Sequence, residues 1–261
     1  MGQVIPFSKI ESYLNGLEKL GAPQGTLLDT NILISSSHEL SDNQESVSEI
    51  LDILIYKNYR LFATVNTRSE YLEFQRRIVL TESLFDVVDE YSKIKISSRA
   101  KAKIQTLKGS LKSSVLSDKD KFEVFNESQL KKIKKEFSAG PHSGQQSWLQ
   151  FCNVYLKNQI ALADQDLADR HVEYISPNDL AQTQLFNNSI NWRDAVNICE
   201  YSGTAFSDSM ILNALKSSKL FFIVTLDFDI GYAALSDPNM KDVVVPDRLH
   251  KEFKNYHFPN H

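Results

Sequence analysis

The sequence predicts an α/β protein built on a parallel sheet, with a helical insertion between its two halves. Three observations point there. Helical and strand-like patterns alternate over residues 7–75 and return after residue 171, the order that parallel strands joined by crossover helices require. The run Leu220-Phe221-Phe222-Ile223-Val224-Thr225-Leu226-Asp227 is almost continuously apolar, as a strand covered on both faces should be. From about residue 80 to 170 no convincing strand pattern occurs.

The elements run in order along the chain. Phe7, Ile10, Leu14, Leu17 and Leu20 recur at helical spacing, and Gly21, Pro23 and Gly25 close that helix. Thr26-Leu27-Leu28-Asp29-Thr30-Asn31-Ile32-Leu33-Ile34 reads as a short apolar strand delivering a carboxylate and an amide at its end. Thr30 or Asn31 would cap a helix there, with a polar loop at Ser35, Ser36, Ser37 and His38. A helix over 44–58 turns Val47, Ile50, Leu51 and Leu54 inward. Leu61–Val65 is a second strand, and the next helix carries Glu70 and Glu73 in its first turns.

Within the insertion, Ala100, Ile104, Leu107, Leu111 and Val115 form one helical stripe. Ser117, Asp118 and Asp120 suggest a turn. A second helix uses Leu130, Ile133 and Phe137, and Ser138–Gly144 reads as a linker. A third runs through Trp148, Phe151, Val154, Tyr155, Ile160 and Leu162. Residues 1–80 and 171–261 are therefore expected to form one α/β domain, and residues 81–170 a basic helical insertion rather than an independent domain. Strand grammar resumes at Val172–Ile175. Helices are expected over 178–189 and 192–201, and another from near Asp208. Val243–Pro246 reads as an edge strand because proline is tolerated there. The tail from Phe253 carries no assigned role.

At 42% hydrophobic and 24% charged residues the composition is that of an ordinary globular chain. No apolar run approaches membrane-spanning length, and no charged-then-apolar leader begins the sequence. Cys152 and Cys199 lack metal-type spacing, so a cytoplasmic, reducing location is expected. The net charge of −4 is unevenly spread: residues 93–136 hold 13 Lys or Arg against 5 Asp or Glu, leaving about −12 for the remainder. A basic segment on an acidic body suggests a polyanion partner, unless it is a solvated helical face. The six histidines show no ligand pairing, and there is no glycine-rich phosphate loop, which argues against nucleotide-hydrolysing and dinucleotide enzymes.

Leu28-Asp29-Thr30-Asn31, an acid after the second strand, Ser207-Asp208-Ser209-Met210-Ile211 and Thr225-Leu226-Asp227-Phe228-Asp229 together resemble the PIN-domain family over residues 26–75 and 170–247. These are metal-dependent ribonucleases, including toxins of bacterial toxin–antitoxin pairs. The resemblance implies a three-layer, doubly wound, mostly parallel Rossmann-like sheet with an acidic cluster at one edge. It implies endonucleolytic cleavage of RNA with Mg2+ or Mn2+, and partners that include an antitoxin or other protein and a second copy of the chain. By it, Asp29, Glu70, Asp208 and Asp227 are the catalytic and metal-binding acids. Asn31 and Thr225 are orienting groups, Asp229 is an outer acid, and Glu73 is the alternative to Glu70.

Electrostatics leads to the same chemistry. Two like charges 4 Å apart cost about 4 kcal/mol at an effective dielectric of 20. Four converging carboxylates therefore call for a cation or raised pKa values. All-oxygen donors select Mg2+ or Mn2+ over zinc, and such an ion suits phosphodiester hydrolysis. Lys131, Lys132, Lys134 and Lys135 would serve as an RNA clamp. The alternatives are a catalytically inactive PIN-like scaffold binding RNA or protein through the insertion, and an unrelated doubly wound α/β binding protein.

Overall fold

The computed structural model describes residues 2–38, 43–89, 94, 96–117, 122–139 and 142–253. The chain divides into two compact units, residues 1–71 with 167–261, and residues 72–166. The division falls inside α4 (Val65–Val88) and inside α8 (Gln159–Asp169).

The first unit is a layered, Rossmann-like α/β structure around one six-stranded sheet, parallel at every pairing. In chain order it holds β1 (Val4–Pro6), α1 (Ile10–Lys19), β2 (Gly25–Leu28), α2 (Thr30–Ser37), α3 (Gln44–Tyr56), β3 (Arg60–Ala63) and the start of α4. After the second unit come β6 (Val172–Tyr174), α9 (Trp192–Ser202), α10 (Phe206–Ser217), β7 (Phe222–Val224), α11 (Phe228–Ser236), β8 (Asp242–Val245) and α12 (Asp247–Phe253). The spatial order is β1-β8-β7-β2-β3-β6. From β2 the chain first moves outward through β3 to β6, then returns to the other side of β2 as β7. The sheet therefore reverses direction between β2 and β7, the kind of crevice where open α/β sheets bind ligands.

Alternate strand residues pack on opposite faces. Ile223 joins Leu27, Ile198, Ile211, Ile230 and Val243 in one core. Its neighbour Phe222 meets the Tyr13 ring of α1 edge-on at 5.4 Å. Helices thus cover both faces, and β2 is buried along its whole length. Gly25 is required by close approach: a Cβ there would lie 2.9 Å from Phe62 Cε2 and 3.0 Å from Leu220 Cδ2.

Several local expectations are corrected. The first strand ends at Leu28, and Asp29, not Thr30 or Asn31, is the N-cap of α2, its Oδ1 accepting from Thr30 N at 2.7 Å. Ser36 and Ser37 are helical, each hydroxyl bonding back to Leu33 O. A strand not expected from the sequence, β1, pairs with β8. The Val243–Val245 strand is thus interior, and Pro246 falls just past its end. Residues 178–189 are turns around a short 3-10 segment, Thr183–Leu185. Side-chain bonds hold them there: Asp179 Oδ1 accepts from Ala181 N, while Gln182 accepts from Ser176 N and donates to Tyr174 O. Such bonds compete with helix formation.

The second unit contains most of α4, α5 (Ser98–Ser117), α6 (Glu127–Glu136), a two-residue antiparallel ribbon of β4 (Ser138–Ala139) and β5 (His142–Ser143), α7 (Gln145–Tyr155) and most of α8. The ribbon takes the place of the expected linker. The expected third helix is two, broken where Asn158 takes a φ of 68°. Leu80, Leu84, Ile104, Phe125, Ile133 and Phe151 are among the core residues. A reciprocal cap starts α6: Asn126 Oδ1 accepts from Gln129 N, and Gln129 Oε1 from Asn126 N. The turn read over Ser117–Asp120 and the tail beyond Phe253 lie at or outside the bounds of the described residues.

Candidate functional site

The reversal of the sheet brings the ends of β2 and β7 side by side, and both deliver acids. Asp29 comes directly after β2. It is only 3% exposed, and its backbone N–H donates to Val224 O across the sheet at 3.0 Å. Thr225 comes directly after β7 and is fully buried. Its hydroxyl donates to Asp29 Oδ2 at 2.6 Å and accepts from Asp227 N at 2.9 Å. One threonine thus ties the two acid-bearing loops together. Asn31 adds a second tie, its Oδ1 accepting from Leu226 N at 3.0 Å.

Asp227 caps α11, Oδ1 accepting from Asp229 N at 2.7 Å. Asp208 sits in the first turn of α10. Glu70 comes from α4, its Oε2 accepting from the Thr30 hydroxyl at 2.7 Å. The sequence alone suggests Thr30 only as a cap. Its hydroxyl instead joins the α2 start to Glu70, and the only signal for that in the sequence is its position beside Asp29.

The acids act on one another. Burial pushes the Asp29 carboxyl up to about 7, against the bonds from Thr225 and Thr30, and the charges of Asp208 and Asp227 push the same way. Burial raises Asp208 to about 6, assisted by Asp227, Glu70 and Asp229. Asp227 is raised by burial and then by Asp229, with backbone bonds from Asp229 and Ile230 opposing. Asp29, Glu70, Asp208, Asp227 and Asp229 thus form one electrostatic group.

Glu73 belongs to the second unit. Arg76 donates to both of its oxygens, at 2.6 and 2.8 Å, and also pairs with Glu127. That pairing holds the Glu73 carboxyl below the usual range. Lys131, Lys132 and Lys135 are exposed on α6 and Lys134 is half-buried, while Leu130 and Ile133 face inward.

Every member of the set is a carboxylate, the donor type that hard divalent cations take, and burial holds Asp29, Asp208 and Asp227 above ordinary carboxylates. Among the described residues, no group of three or more His, Cys, Asp and Glu is arranged to hold a metal ion as it stands. The fit therefore lies in donor type and charge rather than in a closed ligand shell. Among the described residues no helix is long and apolar enough to cross a membrane.

No family model, no curated protein and no solved structure matches the chain.

Proposed function

We infer that the first unit is a PIN-like, metal-dependent endoribonuclease that hydrolyses RNA phosphodiester bonds at the acidic group. The observation carrying this reading is the buried Asp29, at the point where the sheet reverses, with Asp208 and Asp227 acting on its charge. Asp29, Asp208, Asp227 and Glu70 would hold Mg2+ or Mn2+. Such an ion would supply the Lewis-acid charge that phosphodiester hydrolysis needs.

The chain's own residues prepare that arrangement. Thr225 fixes the Asp29 carboxylate by one oxygen and sets the start of the Asp227 loop through the other half of its hydroxyl. Asn31 anchors the same loop at Leu226, and Thr30 holds Glu70. The position of Asp208 at a helix start favours its ionised form through the helix dipole, against the burial that raises its pKa. In the second unit, the exposed lysines of α6 form a basic face suited by itself to RNA phosphates.

A second reading is an inactive PIN-like scaffold that binds RNA or protein through the second unit, where Lys131, Lys132 and Lys135 are exposed on α6. Cleavage of a labelled single-stranded RNA in Mn2+ separates the two. Wild type is expected to cut and Asp29→Asn to lose at least 100-fold in rate, about 2.7 kcal/mol. Equal cleavage by the variant removes the nuclease reading, and an inert, folded wild type favours the scaffold.

A further inference from the structure

A cavity of about 650 Å3, within the range of small-ligand sites, opens past the carboxyl ends of β3 and β6. It lies at the sheet edge that also carries the acidic group. Thr64 ends β3 and Ile175 and Ser176 end β6, the strands one and two places from β2, at roughly 5 Å per strand. The two helices that bring acids to the group also wall the cavity. Asn66 stands one turn before Glu70 on α4, and Met210 two residues after Asp208 on α10.

Its lining excludes most ligand classes. None of the sixteen lining residues is charged, so an anion finds no side-chain counter-charge. Four are asparagines, Asn66, Asn178, Asn187 and Asn188. Among the described residues the side-chain amides of Asn66, Asn178 and Asn188 make no hydrogen bond. An apolar ligand would bury amides unpaired, at a cost in free energy. A neutral heterocycle has edges that such amides bond and faces that rings stack on. Rings are present: Tyr174 lines the cavity at 40% exposure. Phe186 is the second ring in its wall.

We propose that this cavity is a nucleobase subsite, taking one unpaired base of a single-stranded RNA whose adjoining phosphate lies at the acidic group. The inference rests on the nuclease reading for its substrate class, and it makes this unit selective for the base beside the cut. Amides recognise base edges and the open, uncharged walls admit a splayed base, so paired RNA is a poor ligand.

The test measures binding by fluorescence anisotropy of labelled oligouridylate, oligocytidylate and oligoadenylate, first in EDTA and then in Ca2+, an oxygen-liganded ion that offsets the charge of the acids. Wild type is expected to separate the best from the worst by at least about fivefold, the lower end of one base-edge pairing. Asn66→Ala, Asn178→Ala and Tyr174→Ala are expected to shrink that spread towards unity while the melting temperature stays put. Asn66 is half-exposed and Asn178 exposed, so those two variants retain the fold. Equal affinities in wild type, or an unchanged spread in all three variants, overturns the subsite. Cleavage of the same oligonucleotides in Mn2+ judges the other reading separately. Cutting without base preference sinks the subsite alone, base preference without cutting sinks the nuclease alone, and neither binding nor cutting sinks both.

Discussion

The Asp29→Asn substitution should stabilise the protein at alkaline pH and lose that advantage in acid. Asp29 is nearly inaccessible, and its pKa rises from an ordinary 3.8 to about 7, which sets roughly 4 kcal/mol against the ionised form in the folded state. The native pKa lies above the unfolded one, so the folded chain holds a proton that the unfolded chain releases. This contribution is harmless below about pH 4 and destabilises progressively as pH climbs from 4 to 7. Asparagine keeps an acceptor for Thr30 N but turns its NH2 towards the Thr225 hydroxyl, a loss of about 1 kcal/mol. The variant should therefore exceed wild type by about 3 kcal/mol at pH 8 and match it near pH 4.5. Urea unfolding in EDTA at pH 8, 6 and 4.5, with equal m-values, measures this directly. A difference that does not change with pH would refute the reasoning. If the acids hold an ion, Mn2+ narrows the gap at pH 8 by binding the native wild type.

Thr225→Val removes both the donor to Asp29 and the acceptor for Asp227 N at a fully buried site. Thermal unfolding should register a loss of about 1–3 kcal/mol; unchanged stability would mean the hydroxyl does not tie the loops. Gly25→Ala forces a Cβ against Phe62 and Leu220, and chemical denaturation should show about 1–3 kcal/mol of overpacking. Replacing Lys131, Lys132, Lys134 and Lys135 with alanine should reduce the slope of log Kd against log salt for single-stranded RNA by roughly 0.7 for each phosphate no longer neutralised. An identical slope would remove the α6 clamp.

What could be read from the sequence was whatever depends on local pattern. The strands through Leu27 and Ile223 announce themselves because parallel strands buried on both faces leave unbroken apolar runs. Asp29, Asp208 and Asp227 each stand where a strand ends or a helix begins, and the resemblance to the PIN family is what singles them out among such residues. β1 escapes notice because Val4–Pro6 is three residues long and ends in proline, too short for alternation to register. The 178–189 turns escape it because the bonds that defeat the helix join Gln182 to Ser176 and Tyr174 across a loop. Glu73 looks as good as Glu70 by spacing. What separates them are Thr30 and Arg76, partners that spacing on one helix cannot supply. The cavity is invisible for the same reason, since its walls come from segments more than a hundred residues apart.

The acidic group makes sense only with something that offsets its cost. A fold under no other demand would replace a nearly inaccessible Asp29 by a neutral side chain, because asparagine fills the same space and caps the same helix. Instead Thr225 and Thr30 hold the Asp29 and Glu70 carboxylates while Asn31 anchors the Leu226 backbone before Asp227, and the charges around Asp29 and Asp208 are more carboxylates. Local rules are broken in this way mainly where function demands it. A scaffold that merely bound RNA would gain nothing from negative charge facing a polyanion. A divalent ion reverses that objection, since it turns the repulsion among acids, and between acids and phosphate, into attraction through a shared counter-charge. Addition of Mn2+ should for this reason raise the melting temperature of wild type more than that of Asp29→Asn at pH 8, and an equal rise would leave the group without its explanation.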